Sequence, residues 1–214
     1  MEYWILNWIH NMRSSNSQFS ASLTKGSLKV VETRLLAGLL LSGCSPNAAL
    51  LTAVEQNLMQ KRSASTSRTF GSFLLRRLNA CPSELHQILA QGSLKEATQA
   101  AFVSALAESA LLRAFMQESV GSVLTSGRRY LSHSDWLAFK DWLETQDSST
   151  SGWSDGAWAK LRQNCWRILA EVELVDSTKS MRIQPLILEE SIKALLNDPK
   201  LEKVMPSLLA AGVK

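Results

Sequence analysis

Residues 93–124, SLKEATQAAFVSALAESALLRAFMQESVGSVL, offer almost no polar face. A surface helix leaves one stripe to water, whereas a helix that is apolar nearly all round has to be buried. The rest of the chain is therefore required to wrap this stretch, which reads as a framework and not as a site. Gly127-Arg128-Arg129 then breaks it. At 214 residues, 45% of them apolar and 20% charged, the chain has enough material for one full domain or two small ones. Glycine and proline are sparse, at ten and five. The expected class is all-α.

Helical patterns precede the buried stretch at about 27–42 and 46–59, with Gly43 as a stop and Ser45-Pro46 as a start. A third begins at Ser63, a good N-cap residue, and runs to about Leu78 with Phe70, Phe73, Leu74 and Leu78 on its core face. These three predict a helix-turn-helix-like unit over 20–80. Central helices occupy 81–130. In 131–214 the rhythm changes: Ser134 is expected to cap a helix holding Trp136, Leu137, Phe139 and Trp142. A polar loop follows. Ser154 then caps a longer helix with Trp158, Leu161, Cys165, Ile168 and Leu169 on one face and Lys160, Gln163, Asn164 and Arg167 on the other. Strand-forming runs at 172–175 and 181–184 flank DSTKS, a hairpin pattern. Helix, loop, helix and hairpin predict a winged-helix-like unit, closed by helices at about 186–196 and 200–210. Residues 1–19 read as an extension and linker, in which Trp4, Ile5, Trp8, Ile9 and Met12 recur at helical spacing.

Charge is unevenly placed. The net charge is +4, yet residues 12–79 hold nine Lys or Arg against Glu32 and Glu55 only. The segment NLMQKRSASTSRTFGSFLLRRL, 57–78, has five basic residues and no acid. A solvated helix ordinarily mixes signs, because Glu and Lys four apart support each other. A one-signed segment points to a polyanion.

Other classes find less support. The cysteines Cys44, Cys81 and Cys165 are odd in number, far apart and set in apolar surroundings, so buried free thiols in a reducing compartment are expected. The longest apolar run, LLAGLLL at 35–41, is too short for a bilayer. The expected setting is soluble and cytoplasmic, without a membrane partner. His10, His86 and His133 are scattered with no metal-ligand spacing, and no Gly-rich phosphate loop or nucleophile constellation is visible. No enzyme activity, metal, cofactor or small-molecule substrate is expected. Five of the seven tryptophans lie between 136 and 166 and read as core, with Trp153, in a polar loop, as the exposed exception.

The blocks SASLTKGSLKVVETRLLAGLLLSG and NLMQKRSASTSRTFGSFLLRRL, the SDWLAFKDWLE segment and the run ending in Ile183-Gln184-Pro185 resemble the BrxA family. That family is a small component of bacteriophage-exclusion (BREX) systems. Its most specific match is Asn57, Leu58, Gln60, Lys61, Arg62, Ser63, Thr66 and Arg77-Leu78, with Glu32-Thr33-Arg34 as a second anchor. The likeness runs from about Ser20 to Pro185 and beyond, with residues 1–16 outside it. It implies an all-helical protein of helix-turn-helix and winged-helix character, and a DNA-binding accessory role in phage defence. It carries no catalytic residue.

Duplex DNA binds Lys and Arg largely through counterion release, and helix N-termini with hydroxyls add phosphate contacts. Lys61, Arg62, Ser63, Thr66 and Arg68 have the right types, with Arg76, Arg77, Lys25 and Lys29 flanking. The alternative for Arg77 is an internal pair with Glu32 or Glu55. A second candidate surface is Lys160, Gln163, Asn164 and Arg167 with Lys179 and Arg182, since Asn, Gln and Arg read base edges from a major-groove helix. Against it stand Glu171, Glu173 and Asp176. Two functions stay open: a double-stranded DNA-binding protein, of which RNA binding is a variant, or an adaptor joining other BREX proteins. An oligomer is compatible with both.

Overall fold

The computed structural model describes residues 18–213. The apolar pattern of Trp4 to Met12 lies outside them. A 3₁₀ turn, Ala21–Lys25, leads into α1 (Val30–Leu41), α2 (Pro46–Glu55) and α3 (Ala64–Asn79). α4 (Ser83–Gln91) and α5 (Leu94–Glu108) follow, then α6 (Ala110–Phe115), a π-helical stretch (Met116–Gly121) and α7 (Ser122–Thr125). The last third holds α8 (His133–Gln146), a 3₁₀ turn (Ser148–Gly152) and α9 (Asp155–Glu171). It closes with α10 (Glu190–Leu195), a 3₁₀ turn (Pro199–Val204) and α11 (Met205–Ala210). The described chain is mostly helical and contains no sheet.

Local chemistry sets these boundaries. Gly43 ends α1 at φ +91°, a backbone state that costs glycine little. The Ser45 and Ser63 hydroxyls accept from the amides of Ala48 and Thr66, and so cap α2 and α3. Ser132, not Ser134, caps α8: it forms a capping box with Asp135, each side chain bonding the other's backbone N–H. The apolar stretch is buried as expected, with ten residues of α5 from Ala97 to Ala107 out of water. α2 crosses α3 at Gly71, where an added Cβ would stand 2.6 Å from Leu50 Cδ1. Trp153 is half-buried rather than exposed, its ring 5.0 Å from that of Trp158. Leu137 takes the opposite course and lies outside the core, because it sits off the Trp136, Phe139, Leu143 stripe.

The expected hairpin after α9 is reduced to single rungs. Val175 pairs with Ile183, and Tyr130, from the segment between α7 and α8, pairs with Arg182, both antiparallel. The Asp176 amide donates to Arg182 O, and its carboxylate accepts from Ser180 and from the Arg182 amide. A ladder has no length here, because Glu173 and Met181 both take positive φ and bend the chain out of strand geometry on each side.

The chain before α1 joins the two halves. Asn164 of α9 donates to Leu23 O, while Glu171 at its end accepts from Ser27 Oγ and the Leu28 amide. The stretch between, which carries Lys25, therefore runs beside α9.

Candidate nucleic-acid interface

Of the cations around α3, several are already engaged. Arg77 is fully buried, with Nη1 donating to Ser27 O at 2.7 Å and the guanidinium 4.2 Å from the Phe73 ring centre. Its Nε and Nη2 have no hydrogen-bond partner among the described residues. Burial pushes this guanidinium down to about 10, against the pull of Glu108 and Glu171. It cannot meet a phosphate, nor does it pair with Glu32 or Glu55. The carboxylates that steady it come from α5 and α9. Lys61 is bound to Glu32 at 3.0 Å and lies over Phe70, 4.2 Å from the ring centre; Lys29 approaches the same ring at 5.8 Å. Arg76 faces Glu108 at 3.5 Å. The Ser63 hydroxyl is taken up by its cap and by Thr66 Oγ1. Lys25, Arg62, Thr66 and Arg68 remain exposed. Of these, Lys25, Arg62 and Arg68 have no ion pair among the described residues. The sequence patch thus shrinks to its outer members.

The α9 face behaves in the opposite way. Asn164 is 2% exposed and spent on Leu23, so it reads no base. Lys160, Arg167, Lys179 and Arg182 are exposed, and none has an ion pair among the described residues. Among the described residues Lys160 reaches the Gln163 amide oxygen, 2.8 Å away. Arg162 joins them: its Nη1 lies within hydrogen-bond reach of His133 Nδ1, and its guanidinium stands 5.5 Å from the Trp166 ring centre. Arg162, Gln163, Trp166 and Arg167 together with Thr178 line a groove of about 260 Å³ between α9 and the loop after it. Sequence reasoning missed Arg162, Trp166 and Thr178 here. Their closeness is made by the Val175–Ile183 rung, which folds Thr178 back onto α9.

The acids that count against this face in the sequence are directed elsewhere. Glu171 bonds the Ser27–Leu28 corner. Glu173 lines a different cavity, of about 360 Å³, with Lys95, Gln99 and Leu186. Asp176 ties its own loop: the Ser180 hydroxyl bond, aided by the Arg182 and Ser177 amides, outweighs desolvation and holds its carboxyl below the usual range. Glu171 and Asp176 are thus hydrogen-bonded within the protein, although Glu171, Glu173 and Asp176 all remain exposed.

Among the described residues, no three His, Cys, Asp or Glu gather to hold a metal, and no helix is long and apolar enough to cross a membrane. Cys81 and Cys165 are buried and Cys44 is half-buried, all three free. Burial pushes the Cys81 thiol up to about 12 and raises that of Cys165 as well. Both lack the depressed pKa that marks a reactive cysteine.

The fold and surface define a small helical protein whose α9 helix and following loop carry exposed cations. The chain belongs to the BrxA family, whose model matches residues 17–200. It is 29% identical over 181 residues to the BREX protein BrxA of Paramagnetospirillum magneticum, covering 85% of this chain and 91% of that one. It is 25% identical over 186 residues to the BREX protein BrxA of Escherichia coli O9:H4, with 87% of each chain covered. A crystal structure of an uncharacterized protein from Magnetospirillum magneticum superposes with a TM-score of 0.81 at 27% identity, over 89% of this chain and 98% of that one.

Proposed function

We propose that the protein is a non-catalytic, double-stranded DNA-binding component of a BREX phage-defence system. The BREX assignment follows the names of its relatives. The DNA reading rests chiefly on one observation: α9 and the following loop display Lys160, Arg162, Arg167, Lys179 and Arg182 without an ion pair among the described residues, while Glu171 is bonded to the Ser27–Leu28 corner and Asp176 to its own loop. Unneutralised cations in a row are suited to releasing counterions from a phosphate array.

The order of elements supports a winged-helix reading of this half. The bridged residue Tyr130, then α8, α9, and the bridged Val175 and Ile183 follow one another as strand, helix, helix and wing do. The second helix of such a pair is the one that enters a major groove. Gln163 takes the base-reading place that Asn164 vacates. Lys25, on the stretch beside α9, and Arg62 and Arg68 at the start of α3 would then meet flanking phosphates.

The test is fluorescence anisotropy of labelled duplex across a salt series. The expected result is binding that weakens as salt rises, at roughly 0.9 log units per phosphate contact on a log–log plot. Arg167→Glu/Lys179→Glu is expected to weaken it by about tenfold or more at low salt. An adaptor that joins other proteins would bind duplex weakly and ignore the double substitution.

A further inference from the structure

The groove beside Trp166 has a chemistry that a regular duplex does not use. The half-buried Trp166 lines it, with the Arg162 guanidinium 5.5 Å from the ring centre. Arg167 and Gln163 rise from the same helix, and Thr178 closes the far side from the loop. At about 260 Å³ the space is too large for a phosphate alone. An indole and a guanidinium plane stack on any nucleobase, two arginines and a hydroxyl suit its phosphate, and an amide offers both a donor and an acceptor to a base edge. Paired bases present only their edges, so a ring face on the protein is idle against intact DNA.

We propose that this groove seats one unpaired nucleotide of a DNA strand, with its base against Trp166 and its phosphate against Arg162 and Arg167. The inference rests on reading the α9 face as a nucleic-acid surface, but not on duplex being its main ligand. The protein would therefore prefer a duplex carrying an extrahelical base, a flap or a frayed end.

The experiment compares three labelled ligands by anisotropy: an unbroken duplex, the same duplex with a single-nucleotide bulge, and the same bulge lacking its base. The bulged duplex is expected to bind about tenfold tighter than the unbroken one, and the abasic bulge no tighter than the unbroken one. Trp166→Ala is expected to erase the preference and Trp166→Phe to keep most of it. Because Trp166 also packs on the core, Thr178→Phe serves as a second variant that fills the groove from an exposed loop position; it too is expected to erase the preference. Equal affinity for bulged and unbroken duplex would overturn the proposal. So would an abasic bulge that binds as well as the complete one, or a preference that survives both Trp166→Ala and Thr178→Phe. Binding of the bulged duplex with none of the unbroken one would overturn the duplex reading and uphold the groove.

Discussion

Two basic segments of this chain reach the surface with very different yields. Around α3 the sequence holds seven cations and almost no acid, yet the fold withdraws Arg77 into the core and sets Lys61 and Arg76 against Glu32 and Glu108. Along α9 and its loop the sequence mixes signs, yet the fold ties Glu171 and Asp176 into hydrogen bonds with other groups and leaves the cations exposed without an ion pair among the described residues. Formal charge in a segment is thus a poor measure of charge offered to a partner. The partners that cancel it are chosen by packing, across distances of 29 residues for Lys61 and Glu32 and 144 for Ser27 and Glu171.

The comparison breaks most visibly at Arg77. Arg77→Ala removes a large buried side chain and strands the Ser27 carbonyl, and is expected to cost about 3 kcal/mol in urea unfolding. Arg77→Met keeps the volume and deletes a charge whose burial is imperfectly compensated, but strands the same carbonyl, so its cost is expected to be smaller, about 1–2 kcal/mol. Neither is expected to alter DNA affinity of the folded protein. A drop in affinity with Arg77→Met at unchanged stability would return Arg77 to the interface.

Asn164 gives the second effect. Asn164→Ala leaves Leu23 O without its donor inside the protein, for an expected loss of about 1–2 kcal/mol and no change in the DNA salt slope. An affinity loss at unchanged stability would show that Asn164 reaches the ligand. Weaker still is Glu32→Gln, which frees Lys61. A partly exposed pair of this kind is worth below about 1 kcal/mol. The variant is expected to bind duplex slightly more tightly, by about twofold, as one more phosphate contact opens.

The smallest expected effect concerns acid. Partial burial acts to raise the Asp135 carboxyl, but bonds from Arg128 and Ser132 outweigh it, and the group lies below the usual range. A carboxyl depressed in the folded state stabilises the protein above the unfolded value near 4, and that contribution is lost as pH falls through the folded value. Asp135→Asn is therefore expected to lower stability at neutral pH and to flatten the decline below about pH 4 in a series of thermal melts. A curve parallel to that of the unsubstituted protein would mean the pair with Arg128 contributes nothing.

Much of the fold is legible in spacing. Ser63 and Ser154, the Phe70–Leu78 face, the buried centre and the Trp158–Leu169 face all follow from caps and periods. Two misplacements share a cause. Arg77 lies four residues after Phe73 and three after Leu74, and Asn164 lies three after Leu161 and four before Ile168, so spacing puts both on buried arcs. Their polarity argues for solvent, and packing decides otherwise because a carbonyl awaits each one inside. The α8 cap was readable as Ser132 followed three residues later by Asp135, a stronger signature than Ser134 alone. The groove was not readable. It joins residues 162–167 to Thr178 through one rung and two positive-φ residues, and no period announces such a closure.

The most direct measurement is the duplex-binding salt slope of two double variants beside the unsubstituted protein. Arg62→Ala/Arg68→Ala removes free cations at α3, and Arg167→Ala/Arg182→Ala removes free cations at α9 and its loop; all four side chains are exposed. The account predicts that the α9 pair flattens the log–log slope by about 1.8, one contact per residue, and the α3 pair by less. A larger change from the α3 pair, or an unchanged slope from the α9 pair, would contradict it.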